Sequence, residues 1–299
     1  MKNEFKLALI GLDTSHSIEF TRRMQAPDCP AEQKVNGLKA ITCMRFPTPF
    51  QSEEGQDARQ KQLEAWGVKV TDNFDEAVKD CDAILIEIND PAFHLEYFKK
   101  CAELGKPMFL DKPLAGNIQN GAEIVRIAGE KNCKVFSASS LRFGEAIGKS
   151  CKELPAPLYA SVYGPLGIAP AGSSIVWYGV HAFEMLQKIL GCGAVSATSN
   201  PTGSGVVVVV EYDDRRRGVV ELTTGCWVYG GSLRTADKAS AFIVDAGMNY
   251  TLELREICDF LHKGKIPVKL DDTLEIMALL DAAERSFQCG GRTVAVLKK

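Results

Sequence analysis

Short apolar runs alternate with amphipathic stretches over the first 138 residues of the chain. The runs at Lys6–Ile10, Leu38–Met44, Val68–Thr71, Ala83–Ile88, Met108–Leu110 and Lys134–Ser137 are the strand candidates. They are brief and rich in apolar residues, as strands covered on both faces must be. Helical periodicity fills most of the gaps between them. Phe93–Leu104 sets Phe93, Tyr97, Cys101 and Leu104 on one face, and Gly105 follows as a stop. Asn117–Gly129 is a second amphipathic stretch. Strand and helix in alternation predict a parallel sheet with right-handed crossovers, hence a doubly wound, Rossmann-like α/β domain over residues 1–138.

From residue 139 to 299 the pattern changes. Strand candidates now follow one another: Leu158–Tyr163, Ala194–Ser199, Gly205–Tyr212, Gly218–Thr224 and Ala241–Asp245. The polar segment Asp213–Gly218 between two valine-rich runs predicts a hairpin. Helices are expected at Ile175–Leu190, Tyr250–His262 and Asp272–Gln288. The last has Asp272 as N-cap, Glu275 three residues on, and Ile276, Leu279, Leu280, Ala283 and Phe287 on one face. The second half therefore reads as an α+β domain with an open, largely antiparallel sheet and helices on one face. A ligand is expected between the domains, at the carboxyl ends of the parallel strands.

Composition narrows the function. With 45% hydrophobic and 24% charged residues in 299, the chain is globular and needs no disulfides or metal to hold its core. A net charge of −3 offers no basic excess for a nucleic acid or a membrane surface. The N-terminal apolar run Leu7–Ile10 is too short for a signal peptide, and no run approaches a membrane span, so a cytoplasmic location is expected. The ten cysteines contain no CxxC and read as reduced thiols. The four histidines lie far apart with no carboxylate at ligand spacing, so no metal site is predicted. P-loop and nucleophile-elbow patterns are missing as well.

Candidate chemistry sits at the strand ends. Gly11-Leu12-Asp13-Thr14-Ser15-His16 follows the first strand, where a dinucleotide fingerprint belongs. Gly11 suits the tight first turn. Asp13 and His16 occupy the places of the second and third glycines, and a carboxylate at Asp13 adds bulk and like charge beside a pyrophosphate. Thr14 and Ser15 offer hydroxyl donors, and the helix N-terminus offers N–H groups. The second strand ends at Arg45 with no acidic residue to hold a ribose diol, an arrangement suited to a 2′-phosphate. The fourth strand runs into Asn89, Pro91 and His94, residues expected beside the cofactor, with His94 in a structural or supporting place. The fifth runs into Asp111-Lys112-Pro113. Proline restricts Lys112 to an extended backbone. An ammonium at the end of a parallel strand can donate to a substrate oxygen.

The stretch AELGKPMFLDKPLA resembles the A-x-x-G-K-x-V-x-x-E-K-P-x-A motif of the Gfo/Idh/MocA family of NAD(P)-dependent oxidoreductases, relatives of glucose-fructose oxidoreductase and inositol dehydrogenase. The two-domain order agrees, and the resemblance covers essentially the whole chain. It implies that Lys112 contacts nicotinamide and the substrate hydroxyl, with Asp111 in place of the glutamate at the cofactor site. A second segment, Trp177-Tyr178-Gly179-Val180-His181-Ala182-Phe183-Glu184, is similar to the family's D-x-G-x-H-x-x-D. Gly179 and His181 match, Glu184 stands for the last aspartate, and Trp177 for the first. The resemblance implies His181 as general base. An imidazole can take a hydroxyl proton while hydride leaves the same carbon. Trp177 and Tyr178 offer a stacking surface for a sugar, and Arg142 a donor for carboxylate or hydroxyl groups.

The expected function is hydride transfer between NAD or NADP and a hydroxyl carbon of a sugar, polyol or related compound, in a homodimer or homotetramer built through the open sheet. Two other functions stay open: a non-catalytic relative that binds a sugar, nucleotide or protein partner, and an enzyme like the family's NAD-dependent glycosidases.

Overall fold

The computed structural model describes residues 3–297. The chain divides into two compact units. One comprises the residues up to 137 together with 250–270; the other comprises 138–249 and the residues from 271 on.

The first unit is a six-stranded parallel sheet. Its strands are β1 (Phe5–Ile10), β2 (Leu38–Met44), β3 (Lys69–Thr71), β4 (Ala83–Ile86), β5 (Met108–Leu110) and β6 (Val135–Phe136). Their order is β3-β2-β1-β4-β5-β6. That is the doubly wound dinucleotide-binding order, with its switch point between β1 and β4. The crossovers carry α1 (His16–Gln25), α2 (Glu53–Ala65), α3 (Phe74–Val78), α4 (His94–Ala102) and α5 (Ile118–Glu130). The apolar runs form strands because both of their faces are covered: Leu7 to Ile10 and Ala83 to Ile86 are all buried. On α4 the buried face is His94, Tyr97, Phe98, Cys101 and Ala102. Leu104, expected on that face, lies past the helix end and is exposed. Gly105 does turn the chain there, with φ +61°.

The helix α8 (Asn249–Lys263) is expected in the second domain from its place in the sequence, but its residues from Tyr250 on pack with the first unit. Arg23 on α1 donates to Thr251 Oγ1 at 3.0 Å, and Thr251 donates to the Gln33 carbonyl. Arg255 donates to the Glu32 carbonyl. His262 lies 3.0 Å from the Gly37 carbonyl and edge-on to Phe5. Periodicity defines the buried face of a helix but not the sheet it covers.

The second unit holds a seven-stranded sheet in the order β12-β11-β7-β10-β9-β8-β13. The strands are β7 (Tyr159–Pro165), β8 (Ala194–Thr202), β9 (Gly205–Tyr212), β10 (Arg217–Thr223), β11 (Gly230–Arg234), β12 (Ala239–Ile243) and β13 (Val294–Ala295). Every pairing is antiparallel except β7 with β10. The expected hairpin joins β9 to β10. The alternation Val206, Val208, Val210 turns one face of β9 to the core. The helices α6 (Glu145–Glu153), α7 (Val180–Leu190) and α9 (Leu270–Gln288) lie on that side. Asp272 is not an N-cap but sits within the first turn of α9, and Glu275 accepts from the N–H groups of Gly193 and Ala194. All ten cysteines are free.

Candidate functional site

The turn after β1 is built on a close approach. Gly11 has φ +114°, and a Cβ there would stand 2.2 Å from the Glu87 carbonyl oxygen. No other residue fits this place. Its own carbonyl accepts from the Ser17 hydroxyl at 2.8 Å. Asp13 does not stand as an open charge in this turn. It is buried, with Oδ1 accepting from Asn89 N at 2.9 Å and Oδ2 from Thr48 Oγ1 at 2.8 Å and Asp90 N at 3.3 Å. Burial raises its pKa, and these hydrogen bonds oppose the rise. The expected bulk at the second-glycine place is thus folded onto the loop after β4. Thr14 is buried and accepts from His16 N, whereas Ser15 is exposed at the start of α1.

Beside the end of β2 lies a cavity of about 790 Å³, lined among others by Arg45, Thr48, Gln56, Asp57, Gln60 and Thr71. Its size suits an adenosine-like group. Arg45 is at its edge, but its guanidinium donates to Asp57 Oδ1 at 2.6 Å and Gln60 Oε1 at 2.7 Å. A phosphate would have to share that guanidinium with Asp57.

The ends of β4 and β5 carry the densest polar packing. His94 is fully buried and contacts the carbonyls of Ile88, at 2.7 Å, and Leu114, at 3.3 Å. It ties the two loops together. Pro91 is buried with its carbonyl accepting from Gly116 N. Asn89 serves Asp13 through both its backbone and its amide. His16 and Asp111, expected beside the cofactor, both face inward: His16 Nδ1 lies 2.9 Å from Asp111 Oδ2 and 3.7 Å from Glu87 Oε2. Tyr250 packs edge-on against the His16 ring. Glu87 is fully buried; burial and the nearby charges of Asp111 and Glu253 push its pKa well up. Burial acts the same way on Asp111, but the charges of His16 and Lys112 outweigh it and hold that carboxyl low. Asp111 Oδ1 accepts from Lys112 N at 2.7 Å. The Lys112 side chain is 5% exposed, and its ammonium has no partner within bonding distance among the described residues.

In the second unit, His181 starts α7 after a π-helical turn at Ile175–Gly179. Its Nδ1 lies 2.7 Å from Ser139 Oγ. This contact fixes one edge of the imidazole ring. The rings of Tyr178 and Tyr229 stand 5.2 and 5.7 Å from the imidazole, and Trp227 is edge-on to Tyr178. Trp177 packs against Tyr178. Arg142 is not a free donor: it is buried, ion-paired to Glu184, and donates to Gln187 Oε1 at 2.9 Å. Burial raises the pKa of Glu184 against the pull of Arg142.

Glu87, Glu253, Ser139, Tyr229 and Trp227 escape a reading of the sequence. Glu87 has a signal, since a carboxylate at the end of the apolar run AILI is out of place in a buried strand. Ser139 has none.

Residues 52–139 match the sequence model of an oxidoreductase family with an NAD-binding Rossmann fold, Gfo/Idh/MocA. The chain is also similar to an uncharacterized protein of Saccharomyces cerevisiae, 26% identical over 230 residues, a match spanning 68% of this chain and 64% of that protein's length. A myo-inositol dehydrogenase from Corynebacterium glutamicum superposes with a TM-score of 0.79 at 16% identity, covering 99% of this chain and 100% of that one. A scyllo-inositol dehydrogenase from Lactobacillus casei, solved with NAD(H) and scyllo-inositol, gives 0.79 at 13%, covering 98% and 99%. At such identities the likeness is one of fold: a dinucleotide-binding unit joined to an open-sheet unit. The stretch that matches the Gfo/Idh/MocA oxidoreductase model includes the Lys112 turn.

Proposed function

We propose that the protein is an NAD(P)-dependent oxidoreductase that moves a hydride between nicotinamide and a hydroxyl-bearing carbon of a polyol or sugar-like substrate. The observation that carries this reading is Lys112, a residue only 5% exposed whose ammonium makes no hydrogen bond or ion pair among the described residues and acts on Asp111 and Glu87 through its charge alone. Such a group is free to donate to a ligand oxygen. The inositol dehydrogenases of the same fold favour a polyol.

The dinucleotide fits the first unit. Gly11 allows the close turn, Thr14 and Ser15 face the start of α1, and the cavity beside Arg45 takes the adenosine end. When bound, nicotinamide supplies the hydride acceptor or donor. Lys112 donates to the substrate oxygen and stabilises the negative charge that grows there. His181 takes or returns the hydroxyl proton. For this its Nδ1–H must donate to Ser139 Oγ, which leaves a lone pair on Nε2. Tyr178, Tyr229 and Trp227 give apolar faces for a ring of hydroxyls. Arg45 favours NADP(H), its guanidinium turning from Asp57 to a 2′-phosphate. The protein acts in the cytoplasm as a homodimer or homotetramer.

Nucleotide binding tests this first. Protein denatured after purification should release NADP(H) or NAD(H) into the supernatant, seen by mass spectrometry. Titration of stripped protein, followed by tryptophan fluorescence, should give a micromolar Kd, about −8 kcal/mol. NADP(H) should bind more tightly than NAD(H), and Arg45→Ala should erase the difference. No binding of either up to millimolar concentration overturns the proposal.

A further inference from the structure

We propose that His16, Glu87 and Asp111 form a buried site for one divalent transition-metal ion of the zinc class. The three residues come from three places in the first unit: the start of α1, the end of β4 and the end of β5. Their donor atoms all lie within 4.8 Å of one another. His16 Nδ1 is 2.9 Å from Asp111 Oδ2 and 3.7 Å from Glu87 Oε2. Donor atoms about 2.1 Å from a common ion stand roughly 3.0–3.4 Å apart in octahedral or tetrahedral geometry. The two distances from His16 bracket that range, and the Glu87 and Asp111 donor atoms lie within 4.8 Å of each other, so side-chain rotations bring the three donors around one ion.

Glu87 gives the independent reason for an ion. Its side chain is fully buried, and neither carboxylate oxygen has a hydrogen-bond partner. It is aimed at the His16–Asp111 pair, whose facing atoms are close but out of hydrogen-bond alignment. Buried polar atoms in native proteins are nearly always paired, and a bare buried carboxylate is among the costliest exceptions. Glu253, also fully buried, acts on Glu87 as a further negative charge. Three carboxylates then face the cations Lys112 and, if protonated, His16. One metal ion bound to neutral His16 balances the charge and gives each orphaned atom a partner.

The donor set indicates which ion. One imidazole nitrogen and two carboxylates suit zinc-class ions better than calcium or magnesium, which take oxygen alone. The thiol of Cys43 is turned to the Gly11 carbonyl and does not join. Asp111 already has the outer-shell support of a ligand, since its other oxygen accepts from Lys112 N. Such an ion would pin the turn after β1 to the ends of β4 and β5, directly behind the residue that carries the proposed substrate contact. The inference does not depend on the proposed reaction.

Metal content decides it. Untagged protein, purified without chelator, should hold about one zinc-class ion per chain by plasma mass spectrometry. After chelator treatment, titration with cobalt(II) should produce visible d–d absorption that zinc displaces, and either ion should raise the melting temperature. Glu87→Gln and His16→Gln should each weaken binding at least tenfold, with circular dichroism to confirm folding. A metal-free wild type that shows neither absorption nor a melting shift with millimolar cobalt(II) overturns the site, and the missing charge is then a proton on Glu87. Unchanged affinity in folded Glu87→Gln also overturns it. If the variants fail to fold, the wild-type content and titration decide alone. All readouts are taken without nucleotide or turnover.

Discussion

Lys112 and Asp13 show what a residue's identity does and does not reveal. Lys112 is legible because proline follows it and a parallel strand ends before it. The structure adds a largely buried residue whose ammonium makes no hydrogen bond or ion pair among the described residues. Lys112→Ala removes a charge that makes no hydrogen bond or ion pair among the described residues, and should not harm folding. Turnover on a polyol substrate should fall by roughly 10²–10⁴-fold, while nucleotide affinity changes far less. A kcat within a few fold of wild type would remove Lys112 from the chemistry. Asp13 is legible as a residue but not as an environment. Nothing local announces that its carboxylate will meet Thr48 and the amides of Asn89 and Asp90, so from sequence alone repulsion of a pyrophosphate looks like its main effect. Burial raises its folded pKa above 3.8, with the hydrogen bonds opposing. The native state therefore holds this proton more tightly than the unfolded state does. Its contribution to stability is fully present below the unfolded value and declines as pH rises through the folded one. Urea melts from acid to neutral pH should show wild type losing stability relative to Asp13→Asn as pH rises. A difference that grows in the opposite direction would mean that the hydrogen bonds, not burial, set this carboxylate.

At the scale of elements, legibility follows burial. The runs Leu38–Met44, Met108–Leu110 and Gly205–Tyr212 coincide with β2, β5 and β9, because an apolar run bounded by turns has few other ways to hide. β11 escapes because GGSLR has neither the branched nor the aromatic residues of a strand; its glycines sit where Tyr163 and Phe242 crowd the backbone. α8 is evident as a helix but not by its neighbours, since its partners lie more than two hundred residues away. The metal-ligand cluster is invisible for the same reason: spacing rules detect ligands on one element, not on three strand and helix ends. Gly11 belongs to this scale, because the connection between β1 and α1 depends on it. Gly11→Ala adds a Cβ 2.2 Å from the Glu87 carbonyl at φ +114°. Both the clash and the strain must be relieved by moving β1 away from the end of β4. The cost should reach about 3 kcal/mol or more. Gly105→Ala is the control. It too has positive φ, +61°, but nothing lies within 4 Å, so it should cost only about 1 kcal/mol. Urea denaturation of both compares them directly; equal losses would mean that conformation rather than close approach makes Gly11 necessary.

At the scale of the molecule, one surface has no evident monomeric purpose. In the second unit α6, α7 and α9 cover one face of the seven-stranded sheet. The other face carries Tyr163, Val207, Val209 and Val219, all only part-buried, and Ile243 at 68% exposure. The registers align them in rows: Ile243 opposite Gly230, Gly230 opposite Tyr163, and Val219 opposite Val209. An apolar face of this kind on an open sheet invites burial against a copy of itself. A two-fold contact would set the same rows against each other in both chains. We expect sedimentation at micromolar concentration to give at least twice the chain mass. Val209→Lys, at the middle of β9, should shift the chain toward the monomer. A lysine on an open sheet face is tolerated by the fold, so the far-ultraviolet circular dichroism should be kept and the melting temperature should fall mainly through lost association. Dependence of that temperature on protein concentration in wild type, and its disappearance in the variant, separates lost assembly from lost packing. A wild type that sediments as a monomer would leave these valines as an open face of a solitary chain, and Val209→Lys should then change nothing but local charge.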